Sequence, residues 1–187
     1  MPVISITLLP GYSPETEQRL VHRVAQAARS VIAASAAGTT VFVHQASTYQ
    51  RDGRVFSGGG AARVDACALV RDFLQRMQNR QLADAALLLT PDFTMRFPAS
   101  PVMHKLEELV AWAHGRYQQV GKTYEKFDES WGDESCVVYC SGTLHGIWLD
   151  GTPFEGIRFI DRFEIVDGLI QRQDVWNDLS ETQAQRR

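Results

Sequence analysis

Cysteines are few in this sequence and long apolar runs are absent, and each absence excludes a class of protein. The 187 residues include three cysteines, an odd number without a CxxC pair, which favours neither a disulfide framework nor a zinc site. No apolar stretch approaches the ~18 residues of a membrane span, and the first ten residues lack the marks of a signal peptide. We therefore expect a cytoplasmic protein that does not contact a membrane and holds no metal.

An excess of positive charge is also lacking. The formal net charge is -3 and the isoelectric point is near 5.9. Proteins that bind nucleic acid non-specifically usually carry a basic surface field. Nucleic acid is therefore not an expected partner, whereas the hydrophobic content of 44% is ordinary for a folded globular protein.

The composition of the chain changes near residue 58. Residues 1–58 contain five arginines, no lysine and three acids, while the remainder contains fourteen basic and nineteen acidic residues. A stretch rich in glycine and alanine follows, which is typical of a flexible linker. We predict a first domain at 1–58, a linker at 59–65, a second domain at 66–180 and a tail at 181–187.

The pattern of the first domain predicts a strand, a helix and a second strand. Residues 3–9 are β-branched and aliphatic, Ser13 suits a helix N-cap, and Pro14 suits the first helical position. Apolar residues then recur at helical spacing until Gly38, a candidate stop, and 39–45 are again strand-like. Because such a short βαβ unit buries little surface alone, we expect a homo-oligomer.

Pro2 is a candidate catalytic residue in this domain. If Met1 is removed, Pro2 carries a free secondary amine, and a terminal amine with a pKa of about 8 can act as a base or nucleophile near neutral pH. While Met1 is attached, the nitrogen of Pro2 is an amide without basicity. Removal of Met1 therefore decides whether this chemistry exists.

The segment from Pro2 to Ser13, the following helix and residues 39–43 resemble the 4-oxalocrotonate tautomerase family in order, spacing and turn residues, over about the first 58 residues. The resemblance implies a βαβ protomer that pairs into a larger sheet, and Pro2 as the amine that shuttles protons. Typical members of that family carry arginines where this chain has Tyr12 and Phe42.

Two other arginines lie nearby in the sequence and can replace the missing ones. Arg51 and Arg54 fall in a predicted loop that, in folds of this kind, approaches the catalytic proline. Arginine binds carboxylates bidentately, so the pair is a candidate clamp for an anionic substrate. The alternative is an ordinary solvated loop.

The second domain is predicted to be α+β, with helices first and hairpins after them. Helical spacing covers 67–77, 82–89 (ended by Pro91) and 106–117, with a short strand at 93–97 between the last two. Strand-like segments follow at 122–130, 136–148, 155–166 and 169–178, with two Asp-Gly pairs as hairpin signals. This order predicts a cone-shaped, curved antiparallel sheet packed on helices.

Asp161 is the candidate acid of this domain. Strand alternation places it in one row with Ile157, Phe159, Phe163 and Ile165, where it is the one polar residue. A carboxyl group among apolar neighbours has a raised pKa and can transfer protons. The alternative is a structural acid, paired with Arg96, Arg158 or another base.

Aromatic residues from several elements predict a small-molecule pocket. The candidate lining residues are Trp112, Tyr117, Tyr139, Phe159 and Trp176. His145 is a further catalytic candidate, predicted to share a strand face with Tyr139, and its alternative role is structural.

A second resemblance rests on the stretches Ala68 to Thr94, Gly142 to Gly146, Asp150 to Gly156 and Arg158 to Gly168. With them, residues 66–180 resemble the SnoaL-like branch of the cone-shaped fold shared with ketosteroid isomerase and nuclear transport factor two. The cyclases of this branch use a strand histidine and a strand aspartate. Asp161 matches the aspartate, whereas His145 is displaced by one position, which reverses the face of its side chain.

These patterns leave several functions open. The favoured prediction is an isomerase of the keto–enol tautomerase kind that uses Pro2, fused to a pocket domain. The alternatives are cyclase or isomerase chemistry at Asp161, and a ligand-binding oligomer without catalysis. Both resemblances imply a small-molecule substrate and no cofactor.

Overall fold

The computed structural model describes residues 1–57 and 62–184. The chain divides into two compact units, Met1–Arg63 and Val64–Arg187. Residues 58–61, which include the first part of the predicted linker, and residues 185–187 of the predicted tail lie outside the described residues.

The first unit contains a parallel βαβ arrangement. Its elements are β1 (Val3–Leu8), α1 (Pro14–Val31) and β2 (Thr40–Gln45), with a short 3-10 turn at Ala36–Gly38 before β2. The Ser13 side chain caps α1 by accepting a hydrogen bond from the Thr16 backbone N–H at 3.2 Å.

The helix ends earlier than the sequence predicted. It stops at Val31 because Ile32 takes an extended conformation, and Gly38 instead closes the 3-10 turn. The predicted loop around Arg51 and Arg54 is also wrong, because these residues belong to a hairpin of β3 (Thr48–Arg51) and β4 (Arg54–Ser57).

The second unit begins with helices. These are α2 (Ala66–Gln78), α3 (Leu82–Ala86) and α4 (Leu106–His114), and α5 (Leu179–Ala184) follows the last strand and occupies part of the predicted tail. Among the described helices, none is both long enough and apolar enough to cross a membrane.

The strands of the second unit form one sheet. They are β5 (Leu89–Arg96), β6 (Tyr117–Trp131), β7 (Ser135–Trp148), β8 (Pro153–Val166) and β9 (Leu169–Asn177), in the spatial order β5-β9-β8-β7-β6. The pairs β6–β7, β7–β8 and β8–β9 are antiparallel, and β5–β9 is parallel. The predicted α+β class is confirmed for this unit.

Two predicted helix ends in the second unit are wrong. Residues 87–89 leave the helix early, and Pro91 lies inside β5, an edge strand, where a missing N–H can face away from the sheet. Tyr117 begins β6 rather than ending α4.

The core of the second unit lies between its helices and the inner face of the sheet. The predicted row on β8 is buried at every second position from Ile157 to Ile165. Phe73 of α2 packs edge-on against Phe163 of this row, with ring centroids 5.9 Å apart. The helices therefore cover one side of the sheet, and the candidate acid lies on that side.

Candidate functional site

A cavity of about 160 Å³ opens inside the second unit, between α2, α4 and the inner face of the sheet. Its wall is largely apolar and aromatic, with contributions from Phe97, Trp112, Tyr117, Tyr124 and Phe159. An engineered apolar cavity of ~150 Å³ holds one benzene molecule. This space therefore suits about one ring of a ligand.

A lysine and an aspartate form an ion pair at the wall of this cavity. Asp161 of β8 is 0% exposed, and its Oδ2 accepts hydrogen bonds from Lys122 Nζ and, at 3.4 Å, from Gln173 Nε2. Lys122 lies on β6, so its side chain crosses β7 to reach Asp161. Lys122 and Gln173 line the cavity, and Asp161 lies behind them.

The predicted burial of Asp161 agrees with the structure, and so does the alternative in which a basic residue pairs with it. The partner is Lys122 rather than Arg96 or Arg158, and Lys122 lines the cavity whereas Asp161 does not. The second carboxylate oxygen, Oδ1, is buried without a hydrogen-bond partner among the described residues. Of these two residues, it is therefore Lys122 that lines the cavity.

The charge of Asp161 acts on two neighbouring groups. Burial, with a further contribution from this charge, raises the pKa of the Tyr124 hydroxyl well above its usual range. The same two causes raise the pKa of the Cys140 thiol to about 12. Near neutral pH both groups are protonated, so Tyr124 faces the cavity as a neutral hydrogen-bond donor.

Lys122 and Tyr124 together present proton donors to the same apolar space. The Lys122 ammonium also lies 4.5 Å from the centroid of the Phe159 ring, and that ring packs edge-on against Tyr124. Donors held in a space with little water stabilise negative charge that develops on an oxygen. The site is therefore suited to a substrate whose carbonyl oxygen becomes an enolate.

Two of the predicted lining residues lie elsewhere. Trp112, Tyr117 and Phe159 line the cavity, but Tyr139 and Trp176 are 42% and 53% exposed. Each is adjacent in sequence to a buried residue, and strand alternation therefore turns its side chain to the outer face of the sheet.

The structure does not bring His145 to Asp161. His145 is exposed on β7, its ring lies against Gly121 of β6, and its Nδ1 is 3.4 Å from the Thr123 hydroxyl oxygen. Along β7, every second residue from Cys136 to Leu144 is buried on the inner face of the sheet. His145 follows Leu144 directly, so its side chain lies on the outer face. A role for His145 inside this cavity is therefore excluded by its position.

The candidate residues of the first unit lie before β1 and in the hairpin. Pro2 is half-buried and follows Met1, and its carbonyl oxygen accepts a hydrogen bond from the Thr40 N–H at 3.1 Å. Arg51 and Arg54 are exposed and oppose each other across the hairpin turn.

The sequence prediction missed Lys122 and Tyr124. Val120, Lys122 and Tyr124 alternate with exposed or outward residues along β6, and this period of two was the available signal. It was weak because a lysine in a strand is usually solvated. Among the described residues, no group of three or more histidine, cysteine or acidic side chains is arranged to hold a metal ion.

Comparison with known proteins concerns the second unit. The sequence profile of a family described as "SnoaL-like domain" matches residues 70–173. Comparison with curated proteins finds no significant match.

Solved structures show the same fold at low identity. One is an NTF2-like protein of unknown function from Burkholderia pseudomallei, with 19% identity, a TM-score of 0.53, and coverage of 62% of this chain and 92% of that chain. Another is TerC co-crystallized with polyporic acid, with 15% identity, a TM-score of 0.53, and coverage of 63% and 95%. A candidate polyketide cyclase from Xanthomonas campestris has 15% identity, a TM-score of 0.50, and coverage of 64% and 95%.

Proposed function

The chain belongs to the SnoaL-like family through residues 70–173, and from this membership and the cavity we propose that the second unit is an acid/base enzyme. Its proposed reaction is an isomerisation or a ring closure next to a carbonyl group. The observation that carries the proposal is Lys122 on the cavity wall, with its ammonium paired to the fully buried Asp161.

The proposed chemistry moves a proton within a carbonyl compound. When a water molecule takes a proton from the carbon next to the carbonyl group, negative charge develops on the oxygen, and Lys122 and Tyr124 donate hydrogen bonds to it. Return of a proton to a different carbon gives an isomer. Attack of the enolate carbon on a second carbonyl group gives a ring. Both outcomes conserve the atoms and electrons of the substrate.

Asp161 acts in this proposal through Lys122. It lies behind the cavity wall, where it fixes the ammonium and balances its charge, so it is a positioning residue. A ring-shaped substrate is supported by the aromatic lining. It is also consistent with the ligand named for TerC and with the cyclase description of another relative.

The test is the conversion of phenylenolpyruvate to its keto form, which needs proton transfer at a carbon beside a carbonyl group. We expect Lys122→Met to lower turnover by about 10²-fold or more, the usual effect of removing one donor that stabilises a developing oxyanion. Lys126→Met is the matched control, because Lys126 is an exposed lysine of the same strand. Circular dichroism confirms that both variants are folded.

Equal turnover in Lys122→Met and the wild-type protein contradicts the proposal. If the wild-type protein binds aromatic ligands and does not accelerate the reaction, the second unit is a ligand-binding module without catalysis. That outcome supports the non-catalytic alternative.

The amino-terminal proline supports a second candidate function, a keto–enol tautomerase. The observation in its favour is the parallel pair β1–β2 joined by α1, with Pro2 directly before β1. In this candidate, Arg51 and Arg54 bind the anionic part of the substrate. The reaction requires a mature chain without Met1, because only then is the nitrogen of Pro2 an amine.

Intact mass spectrometry and the Pro2→Ala variant test this second candidate. A mass that lacks Met1, together with a loss of turnover of about 10²-fold in Pro2→Ala, supports it. A retained Met1 contradicts it. The same phenylenolpyruvate assay with Lys122→Met and Pro2→Ala shows which of the two units performs the reaction.

A further inference from the structure

The charges around the cavity of the second unit are unbalanced. Arg80, Arg116 and Lys122 line it, and of the described residues that form its wall none is an aspartate or a glutamate. Asp161 balances the charge of Lys122 from behind. Arg80 and Arg116 form no ion pair with an acid within residues 1–57 and 62–184. The wall therefore carries two arginines without an ion pair, Arg80 exposed and Arg116 partly buried, although the whole chain is acidic.

Arg116 is held in a geometry that suits a carboxylate. Its guanidinium carbon lies 4.3 Å from the centroid of the Trp112 ring, and Trp112 also lines the cavity. A planar guanidinium stacked on an aromatic face keeps N–H groups at its edge, where they can bind a carboxylate with two parallel hydrogen bonds.

Arg80 occupies a backbone position that favours glycine. It follows the cap residue of α2 with a φ of 60°. The N–H groups of Arg80 and Gln81 close the helix on the carbonyl oxygens of Met77 and Arg76, at 3.2 and 2.9 Å. This is the Schellman motif, in which the left-handed position is usually a glycine because a Cβ atom is unfavourable there. The backbone conformation of Arg80 is therefore unfavourable for a residue with a side chain, and that side chain lies on the cavity wall.

The charges of both arginines act on the hydroxyl of Tyr117. Burial raises the pKa of Tyr117, and the positive charges of Arg116 and Arg80 act in the opposite direction. Arg80, Arg116 and Tyr117 all line the same cavity, and Arg116 lies over the Trp112 ring.

We infer that the ligand of this cavity is an organic anion, a carboxylate joined to an aromatic ring, and that Arg80 and Arg116 bind its carboxylate. The ring lies against Trp112 and Phe97, which pack together with centroids 5.6 Å apart. The inference rests on the proposed function for the role of Lys122, which meets the reacting oxygen at the other end of the ligand. It narrows the substrates to aromatic acids.

The test compares two probes of equal shape, trans-cinnamate and trans-cinnamamide, by isothermal titration calorimetry with the full chain. We expect the acid to bind more tightly than the amide by about tenfold or more, because hydrogen bonds between charged groups are the stronger ones. This preference should fall several-fold in Arg116→Gln and in Arg80→Gly. Arg96→Gln is the control, since Arg96 is an exposed arginine of the same unit outside the cavity wall.

Arg80→Gly separates binding from folding. Glycine relieves the left-handed position, so this variant should melt at a higher temperature while losing preference for the acid. Equal affinity for the two probes, or no binding of cinnamate at millimolar concentration, overturns the inference. A preference that is unchanged in both cavity variants also overturns it. Because these measurements need no turnover, they are independent of the result for Lys122→Met, which tests the proposed reaction.

Discussion

At the scale of single residues, the two members of the ion pair have unequal surroundings. Asp161 is completely buried, whereas the side chain of Lys122 is 21% exposed and borders the cavity. Removal of the lysine leaves a carboxylate in the core without a counter-ion. Removal of the carboxylate leaves an ammonium that can still reach water. Removal of the lysine and removal of the carboxylate should therefore lower the free energy of unfolding by different amounts.

We predict that Lys122→Met lowers the free energy of unfolding by about 3 kcal/mol, because it strands a buried charge. Asp161→Asn should cost less, about 2 kcal/mol, which is the scale of a hydrogen bond between charged groups. Urea denaturation of both variants measures the difference. The double variant should be more stable than Lys122→Met alone. A larger loss in Asp161→Asn than in Lys122→Met would contradict this account.

The cysteines provide a second residue-scale prediction. Cys136 and Cys140 are buried and Cys67 is partly exposed. The raised pKa of Cys140, about 12, keeps its thiolate scarce at mildly alkaline pH. In the folded protein a thiol reagent should therefore label Cys67 alone, and all three cysteines should react in denaturant. Cys67→Ser should abolish the native signal.

The same shift predicts how stability depends on pH. The folded-state pKa of Cys140 lies above the value of an unfolded thiol, about 8.5, so folding retains a proton that the unfolded chain loses. Its contribution to stability is complete below the unfolded pKa and is lost as pH rises towards the folded value. Thermal melting across this alkaline range should show a decline that is smaller in Cys140→Ala.

The local sequence pattern predicted the burial of Asp161 but did not predict its partner, Lys122. Alternation along β8 predicted a buried acid because the whole row belongs to one strand. Lys122 comes from β6, and a side chain that crosses an intervening strand depends on the order of strands in the sheet, which a local pattern does not contain. The error for Tyr139 and Trp176 has another cause, since apolar residues occur on both faces of β7 and β9.

At the scale of elements, the pairing of β6 with β7 depends on a close approach at Gly142. A Cβ atom built at Gly142 would lie 2.0 Å from the backbone oxygen of Thr123. That distance is far below van der Waals contact, so any side chain must push the two strands apart. Gly142 is therefore a requirement of the sheet that also carries Lys122.

We predict that Gly142→Ala lowers the free energy of unfolding by about 3 kcal/mol, the upper range of overpacking in a core. Gly115→Ala is the matched control, because open space surrounds that position after α4, and it should be neutral. Denaturation of the two variants under one set of conditions makes the comparison. Equal stability would mean that the strands separate without cost.

Element types were predictable where turn residues are specific. The Asp-Gly pairs at 150–151 and 167–168 lie at the β7–β8 and β8–β9 connections, as expected. A third pair, Asp52 and Gly53, has positive φ at both positions and joins β3 to β4, where the sequence analysis expected a loop. Pro91 gave a false helix end because proline ends helices and is also tolerated in edge strands.

At the scale of the whole molecule, the two units differ in how much they bury. In residues 1–57 the one buried position is Gly38, and α1 has no buried side chain. The sheet of β1 and β2 leaves Val3 and Phe42 exposed on one face. A core of large buried side chains occurs in the second unit. The first unit therefore has little to hold it together by itself.

We predict that the full chain is a homo-oligomer in which copies of the first unit cover this exposed face. Static light scattering at micromolar concentration should give a multiple of the mass of one chain. Charged residues in place of both Val3 and Phe42 should shift the assembly towards monomer. Val31→Glu is the control, because Val31 is exposed at the end of α1. A stable wild-type monomer would contradict this prediction.

The position of β6 has a consequence for behaviour at high concentration. It is an edge strand of 15 residues, a length that offers many unpaired backbone groups to another extended chain. The regular pairing of β6 with β7 is interrupted between Tyr124 and Lys126. Just after this interruption, the exposed side chains of Lys126 and Asp128 form an ion pair. A bulge and charges at an edge oppose stacking of strands into fibrils. The strand that carries Lys122 is therefore not expected to start the growth of amyloid fibrils.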